Sequence, residues 1–321
     1  MKKILLTGAT GFVGSELLKQ LLKLKDYSTV VASRSGPSHA EAGCQFFNVG
    51  NFNAHTSWRE AMTGVECVIH TAGRAHVLKK ESNALELFKE TNTEATLNMA
   101  RQAEAMGVKR FIFISSIGVN GAYTSDKPFS DDSHPAPHTD YAVSKREAEA
   151  GLLKIAENSE MEVVIIRPPL VYAAHAPGNF QRLLKLVKSG APLPFGLINN
   201  SRSMVALENL IDFICLCIAH PKAGNQIFLV SDGLNLSIKE ITQSLAIGMG
   251  RRVLLLPIPP SALKALTQLL RKPSLYTQLC ESLEIDSSKC RDLLGWIPPT
   301  SPEKSIIEAG KIFINTLPKK G

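Results

Sequence analysis

The sequence predicts an α/β protein: a doubly wound parallel sheet joined to a smaller mixed α/β lobe. Three observations carry this. Short runs rich in Val, Ile, Leu and Phe are apolar throughout, as strands covered on both faces must be. These runs alternate with longer segments of helical period, the rhythm of strand–helix–strand crossovers. A glycine-rich turn, TGATGFVG, follows the first run directly.

Taken in order, KILLT (3–7) is the first strand, and the segment 12–24 puts Leu17, Leu18, Leu21 and Leu22 on one helical face. TVVAS (29–33), CQFFNV (44–49) and ECVIHT (66–71) read as the next three strands. A long helix is expected over about 84–106, then FIFIS (111–115), a helix over 141–158 and VVIIRP (163–168). Beyond Pro168, Gly and Pro become frequent, and helical patterns at 207–219, 237–249, 260–271 and 302–316 dominate. That part is expected to form the lobe, with a strand near 226–230 returning to the main sheet. The reading assigns 1–167 with 203–230 to the sheet domain, and 168–202 with 231–321 to the lobe.

Composition narrows the function. Of 321 residues, 44% are hydrophobic and 20% charged, which excludes a disordered chain, a fibre and a disulfide-stapled mini-protein. The net charge of +7 is spread without a block of like charge, so no nucleic-acid partner is expected. A modest positive balance suits a small phosphate-bearing ligand. The six cysteines (44, 67, 215, 217, 280, 290) include no CxxC pair, and neither disulfides nor a metal is expected. Asp212 and several prolines interrupt the longest apolar runs, and MKKILLTGAT is too short for a signal core. The expectation is a cytoplasmic protein with no stable membrane insertion.

Gly8, Gly11 and Gly14 lie between a strand and a helix, where a tight turn lets a pyrophosphate approach the backbone and rest on the helix N-terminus. This predicts a dinucleotide, with Thr10, Phe12 and Val13 in the same turn. An acidic residue about 20 positions on would bind a ribose and favour NAD. The second strand ends instead in Ser33 and Arg34, and a guanidinium there can pair with a 2′-phosphate. The cofactor is therefore expected to be NAD(P), with NADP favoured over NAD.

YAVSK places Tyr141 and Lys145 one helical turn apart. A lysine ammonium beside a tyrosine favours the phenolate and is expected to lower its pKa, making Tyr141 an acid/base near neutrality. Ser115 and Ser116 follow a predicted strand at the end where ligands bind in this architecture, and can hydrogen-bond a reacting oxygen. His70 and His76 read as packing beside the cofactor. The chain has no GxSxG, so nothing points to a serine hydrolase.

Together TGATGFVG, IHTAG (69–73), Asn92 in TNTEAT, FISSIGVNG, YAVSK, RPPLVY (167–172) and DSSKCRDLLGWIPP (286–299) resemble an extended short-chain dehydrogenase/reductase. Within it, the nucleotide-sugar branch of UDP-glucose 4-epimerase-like enzymes and 4-ketoreductases is most similar. The resemblance implies a Rossmann sheet, Ser116 as catalytic hydroxyl, Tyr141 as acid/base and Lys145 as ribose-binding lysine. It also implies Ala72, Gly73 and Pro168 in the cofactor site, and Ser115, Asn179 and Arg202 on the substrate. The partner implied is a UDP-sugar, with a homodimer through the helices near 84–106 and 141–158. Three positions depart from the pattern: VNG (119–121) replaces VYG, no glycine follows Val171-Tyr172, and Asn48 replaces an aspartate. C4 epimerisation by transient hydride transfer is the leading expectation. An NADP-dependent reductase of a UDP-4-keto-sugar and a reductase of a non-nucleotide carbonyl are the alternatives.

Overall fold

A strand with no polar side has to be covered on both faces, and the chain does this with two layers of helices. The computed structural model describes residues 1–34, 43–74 and 83–316. Strands β1 (Lys2–Thr7), β2 (Tyr27–Ser33), β3 (Cys44–Asn48), β4 (Cys67–His70), β5 (Arg110–Ile114) and β6 (Glu162–Arg167) come first. Two short strands, β7 (Leu170–Tyr172) and β8 (Met204–Ala206), and then β9 (Gln226–Leu229) complete the set among the described residues. The main sheet runs β3-β2-β1-β4-β5-β6-β9 with every neighbouring pair parallel. The returning strand near 226–230 is β9, at the sheet edge.

The helices are α1 (Phe12–Lys23), α2 (Ala84–Phe88), α3 (Ala95–Ala105), α4 (Asp140–Glu157), α5 (Asn179–Ser189) and α6 (Leu207–Ala219). The rest of the chain adds α7 (Ile238–Gly248), α8 (Pro260–Leu269), α9 (Pro273–Cys280), α10 (Ser288–Leu294), which packs Cys290 and Leu294 into the sheet core, and α11 (Pro302–Asn315). The long helix expected near 84–106 is interrupted by a wide π turn at Lys89–Glu94.

Alternate residues of each central strand enter opposite cores. Ile4, Leu6, Ile69, Ile112, Val164 and Ile166 meet Leu17 and Leu21 of α1 and Leu210 and Ile214 of α6. Leu5, Val68, Phe111, Phe113, Val163 and Ile165 meet Met99 and Ala103 of α3 and Ala148 and Leu152 of α4. Each such side chain contributes about 1.5–3 kcal/mol by leaving water, which is why no polar alternation is seen. A third core joins α5, α7 and α11 through Phe180, Leu184, Ile241, Leu245, Ile306 and Phe313. The β7–β8 pair ties the lobe to the sheet: Val205 enters the α1–α6 core while Met204 and Ala206 enter the lobe core. Among the described residues, no helix is long and apolar enough to cross a membrane.

Candidate active site

The glycine turn is packed to contact. Gly8 adopts φ +75°, and a Cβ there would lie 2.6 Å from the Ala72 nitrogen. A Cβ on Gly14 would lie 2.1 Å from the Gly8 carbonyl oxygen, so α1 presses directly on the turn. Helix α1 starts at Gly11 with neither a side-chain cap nor an acidic residue in its first turn, which suits an anion. A cleft of about 600 Å³ opens over it and brings together Gly8, Thr10, Gly11, Arg34, Ala72 and Gly73. Gly14 lies behind the turn, and Phe12 and Val13 pack against the sheet core instead of lining the cleft.

Sequence reasoning missed the other wall, formed by Asn51, Phe52 and Asn53 after β3 and by Leu87, Glu90 and Thr91 at the π turn. The NFN triplet follows the carboxyl end of a parallel strand, the position that could have disclosed it. Asn48 accepts from the Gly50 N–H and so shapes its own turn.

Thr139 Oγ1 accepts from the Ala142 N–H and starts α4, which carries Tyr141 and Lys145. Lys145 Nζ donates to the Ile114 carbonyl at 2.9 Å and sits 4.4 Å over the Phe113 ring. A Cβ on Gly73 would be 3.4 Å from Nζ, so the lysine ends beside a residue that lines the cleft. Burial pushes Lys145 down to about 8, against the opposing pull of Glu149. Tyr141 meets Phe88 edge to face and lies 6.0 Å from Lys145 Nζ, measured to the ring centroid. Burial pushes its phenol up to about 12. The lowering expected from Lys145 does not accompany it: the ammonium donates to the Ile114 carbonyl and lies over the Phe113 ring. Ser116 Oγ accepts from Gly118 N–H and caps the short turn Ile117–Val119, which leaves its hydroxyl proton for a reacting oxygen. Ser115 Oγ is buried without a hydrogen-bond partner among the described residues.

Two buried networks hold these groups. Asn92, in the π turn, accepts from Arg74 N–H and donates to the Arg74 carbonyl and Ser144 Oγ, joining the cleft wall to α4. Arg167 donates twice to Glu149, at 3.0 and 2.6 Å, and once to Asn120 Oδ1 at 3.0 Å. It thereby links β6, α4 and the turn after Ser116. Nearby, the Pro168 carbonyl accepts from Ile117 N–H.

His70 is fully buried in the core, stacked on Phe52 and Phe113. Thr96 Oγ1 donates its proton to the Asn92 carbonyl, so it accepts from His70 Nε2–H, and Nδ1 accepts from Thr7. Burial first, then Lys145, pushes the imidazole down to about 3. The unfolded chain binds this proton below about pH 6.5, so stability should be lost as pH falls from about 6.5 toward 3. Tm measured across that range should fall less steeply in His70→Gln than in the wild type. His76 lies outside the described residues.

Asn179 and Arg202 are not in the glycine cleft. Both attach to the α9 segment: Asn179 Nδ2 donates to Gln278, and Arg202 Nη1 donates to the Thr277 and Glu281 carbonyls. Burial lowers the Arg202 pKa. A second cleft of about 550 Å³, between α1, α6 and α11, contains none of the expected site residues. The first gathers the glycine turn, Arg34, Ala72 and Gly73, whereas Tyr141, Lys145, Ser115, Ser116 and Pro168 are not among its lining residues.

A phosphate-ready turn at the first strand–helix junction, with Tyr141 and Lys145 beside the same sheet end, defines a dinucleotide-dependent redox enzyme. The model of the NAD dependent epimerase/dehydratase family matches residues 4–231, and the chain belongs to that family. A UDP-glucose 4-epimerase of Vibrio cholerae is 43% identical over 316 residues, covering 98% of this chain and 96% of its own. The crystal structure of a UDP-glucuronic acid 4-epimerase from Bacillus cereus in complex with NAD aligns with TM-score 0.77 and 22% identity over 98% of each chain. A UDP-glucose 4-epimerase from Thermotoga maritima with UDP-glucose aligns with TM-score 0.77 and 21% identity, over 98% of this chain and 99% of that one. These two share the fold.

Proposed function

We propose that the protein is a C4 epimerase of a UDP-sugar. The observation that carries this is the 43% identity to a UDP-glucose 4-epimerase along 98% of the chain. The residues present fit a nicotinamide dinucleotide: the Gly8–Gly14 cradle leaves no room for a side chain, and the unpartnered Ser115 hydroxyl lies at the end of β5. Gly8, Thr10 and Gly11 would hold the pyrophosphate, and Lys145 would hold the ribose. When bound, the nicotinamide supplies reversible hydride exchange with the sugar carbon. Tyr141 takes and returns the proton of the C4 hydroxyl, and Ser116 donates to the same oxygen. Lys145, cationic below about pH 8, favours the phenolate whenever it turns toward the tyrosine.

In this reading the lobe, 168–202 with 231–321, supplies the substrate side. Asn179 and Arg202 bind the diphosphate, and Arg202 exchanges its carbonyl partners for phosphate oxygens. A homodimer through α2–α4 belongs to the same proposal. The test is to supply UDP-glucose to the purified protein. Formation of UDP-galactose with no net change in dinucleotide absorbance supports the epimerase. Stoichiometric loss of NADPH on a UDP-4-keto-sugar would favour the reductase.

We further infer that NADP is preferred to NAD. The support is Arg34 beside Ser33 on the cleft, where Glu90 is the acidic side chain among the described lining residues. Arg34→Asp should weaken NADP by about 2 kcal/mol or more and leave NAD unchanged or improved. Parallel calorimetric titrations check this, and unchanged NADP affinity would leave NAD as the better assignment.

A further inference from the structure

Between Glu240 and Glu281 the sequence holds Arg251, Arg252, Lys264, Arg271 and Lys272 and no carboxylate side chain. All five cations are exposed. The same stretch exposes large apolar side chains. In α8 only Leu263 is buried, facing the lobe core. Leu266, Leu269 and Leu270, spaced i, i+3 and i+4, form a second apolar stripe that is 50%, 81% and 57% exposed. A surface helix ordinarily turns charged residues to that side. Here the charges flank the stripe: Lys264 lies over the Tyr276 ring on α9, and Arg271 and Lys272 follow the helix end.

The preceding segment repeats the pattern. Leu193 pairs with Leu255, leaving Leu254 and Leu256 exposed. Arg251 donates to the Lys188 carbonyl, which brings the end of α5, with Lys185 and the exposed Leu186, next to this segment.

We infer that this side of the lobe is a docking surface for an anionic lipid bilayer, on which the protein lies without crossing it. Exposed leucines flanked by cations of one sign are the combination that binds anionic headgroups while inserting apolar groups at the acyl boundary. Charge separates this from self-association. A two-fold contact would set Arg251, Arg252, Arg271 and Lys272 against their own copies, with no acid in the stretch to pair them. The surface also adjoins α9, whose residues hold Asn179 and Arg202, so docking would bring that part of the lobe to the membrane. The inference does not rest on the proposed reaction.

Flotation of the full chain tests it, using vesicles of phosphatidylcholine alone and of phosphatidylcholine with phosphatidylglycerol in equal parts. The protein should float with the anionic vesicles and not with the neutral ones, and high salt should release it. Leu269→Gln/Leu270→Gln and Arg271→Gln/Lys272→Gln should each weaken binding by about tenfold or more. These positions are exposed, so melting curves should match the wild type. Failure to float with anionic vesicles at low salt, or binding by both variants equal to that of the wild type, overturns the proposal. It is also overturned if the leucine variant converts a lipid-free dimer to a monomer by light scattering, since the face would then join two copies of the chain.

Discussion

Tyr141→Phe is expected to lower kcat by roughly 10²–10⁴-fold, the contribution of one positioned acid/base, while leaving the fold and dinucleotide affinity close to wild type. The ring packs edge to face on Phe88 and would keep that contact without its hydroxyl. No described hydrogen bond of the scaffold depends on the phenol. Its pKa near 12 keeps it protonated in the protein alone, so in the proposed reaction Lys145 must turn toward it and favour the phenolate before it can take the C4 proton. Steady-state kinetics, circular dichroism and a dinucleotide titration check the three parts. Turnover near wild type would remove Tyr141 from the mechanism.

Arg167→Ala is expected to destabilise the fold by about 3–5 kcal/mol, the cost of leaving one partner of a buried ion pair uncompensated. The side chains of Arg167 and Glu149 are 4% and 3% exposed, so water cannot replace the guanidinium. In a chain of this size that corresponds to a Tm lower by roughly 5–7 °C. The pair is not required for stability as such. The double variant Arg167→Met/Glu149→Leu should recover most of the loss, since apolar side chains of similar volume often replace such pairs without cost. Urea denaturation of the two variants decides. A single variant within about 1 kcal/mol of wild type would show that Glu149 finds another partner.

The main sheet was readable because each central strand buries both faces, so β1, β5 and β6 begin and end within a residue or two of their apolar runs. Strands β7 and β8 were not, since three residues carry no period and their pairing joins positions more than thirty apart. The π turn escaped for a different reason: apolar positions continue on both sides of it, and one extra residue only shifts their phase. The Gly8–Gly11 turn and the one-turn spacing of Tyr141 and Lys145 on α4 could be read because local spacing fixes each. Arg167 and Glu149 lie on different elements, and only folding reveals that they meet. The same holds for Arg202, whose present partners are main-chain carbonyls that no side-chain pattern announces.

The wide turn at Lys89–Glu94 has a consequence for how the enzyme can change. In a regular helix each residue advances the azimuth by about 100°, so the side chains meeting one neighbour dictate which ones meet the next. Here α3 keeps Met99 and Ala103 under the sheet, while across the turn Leu87, Glu90 and Thr91 face the cleft and Asn92 stays buried between Arg74 and Ser144. The offset uncouples the two ends of one rod. Substitutions can remodel the cleft wall without repacking the sheet, whereas loss of a single residue from the turn would restore a straight helix and swing that wall away from the glycine turn.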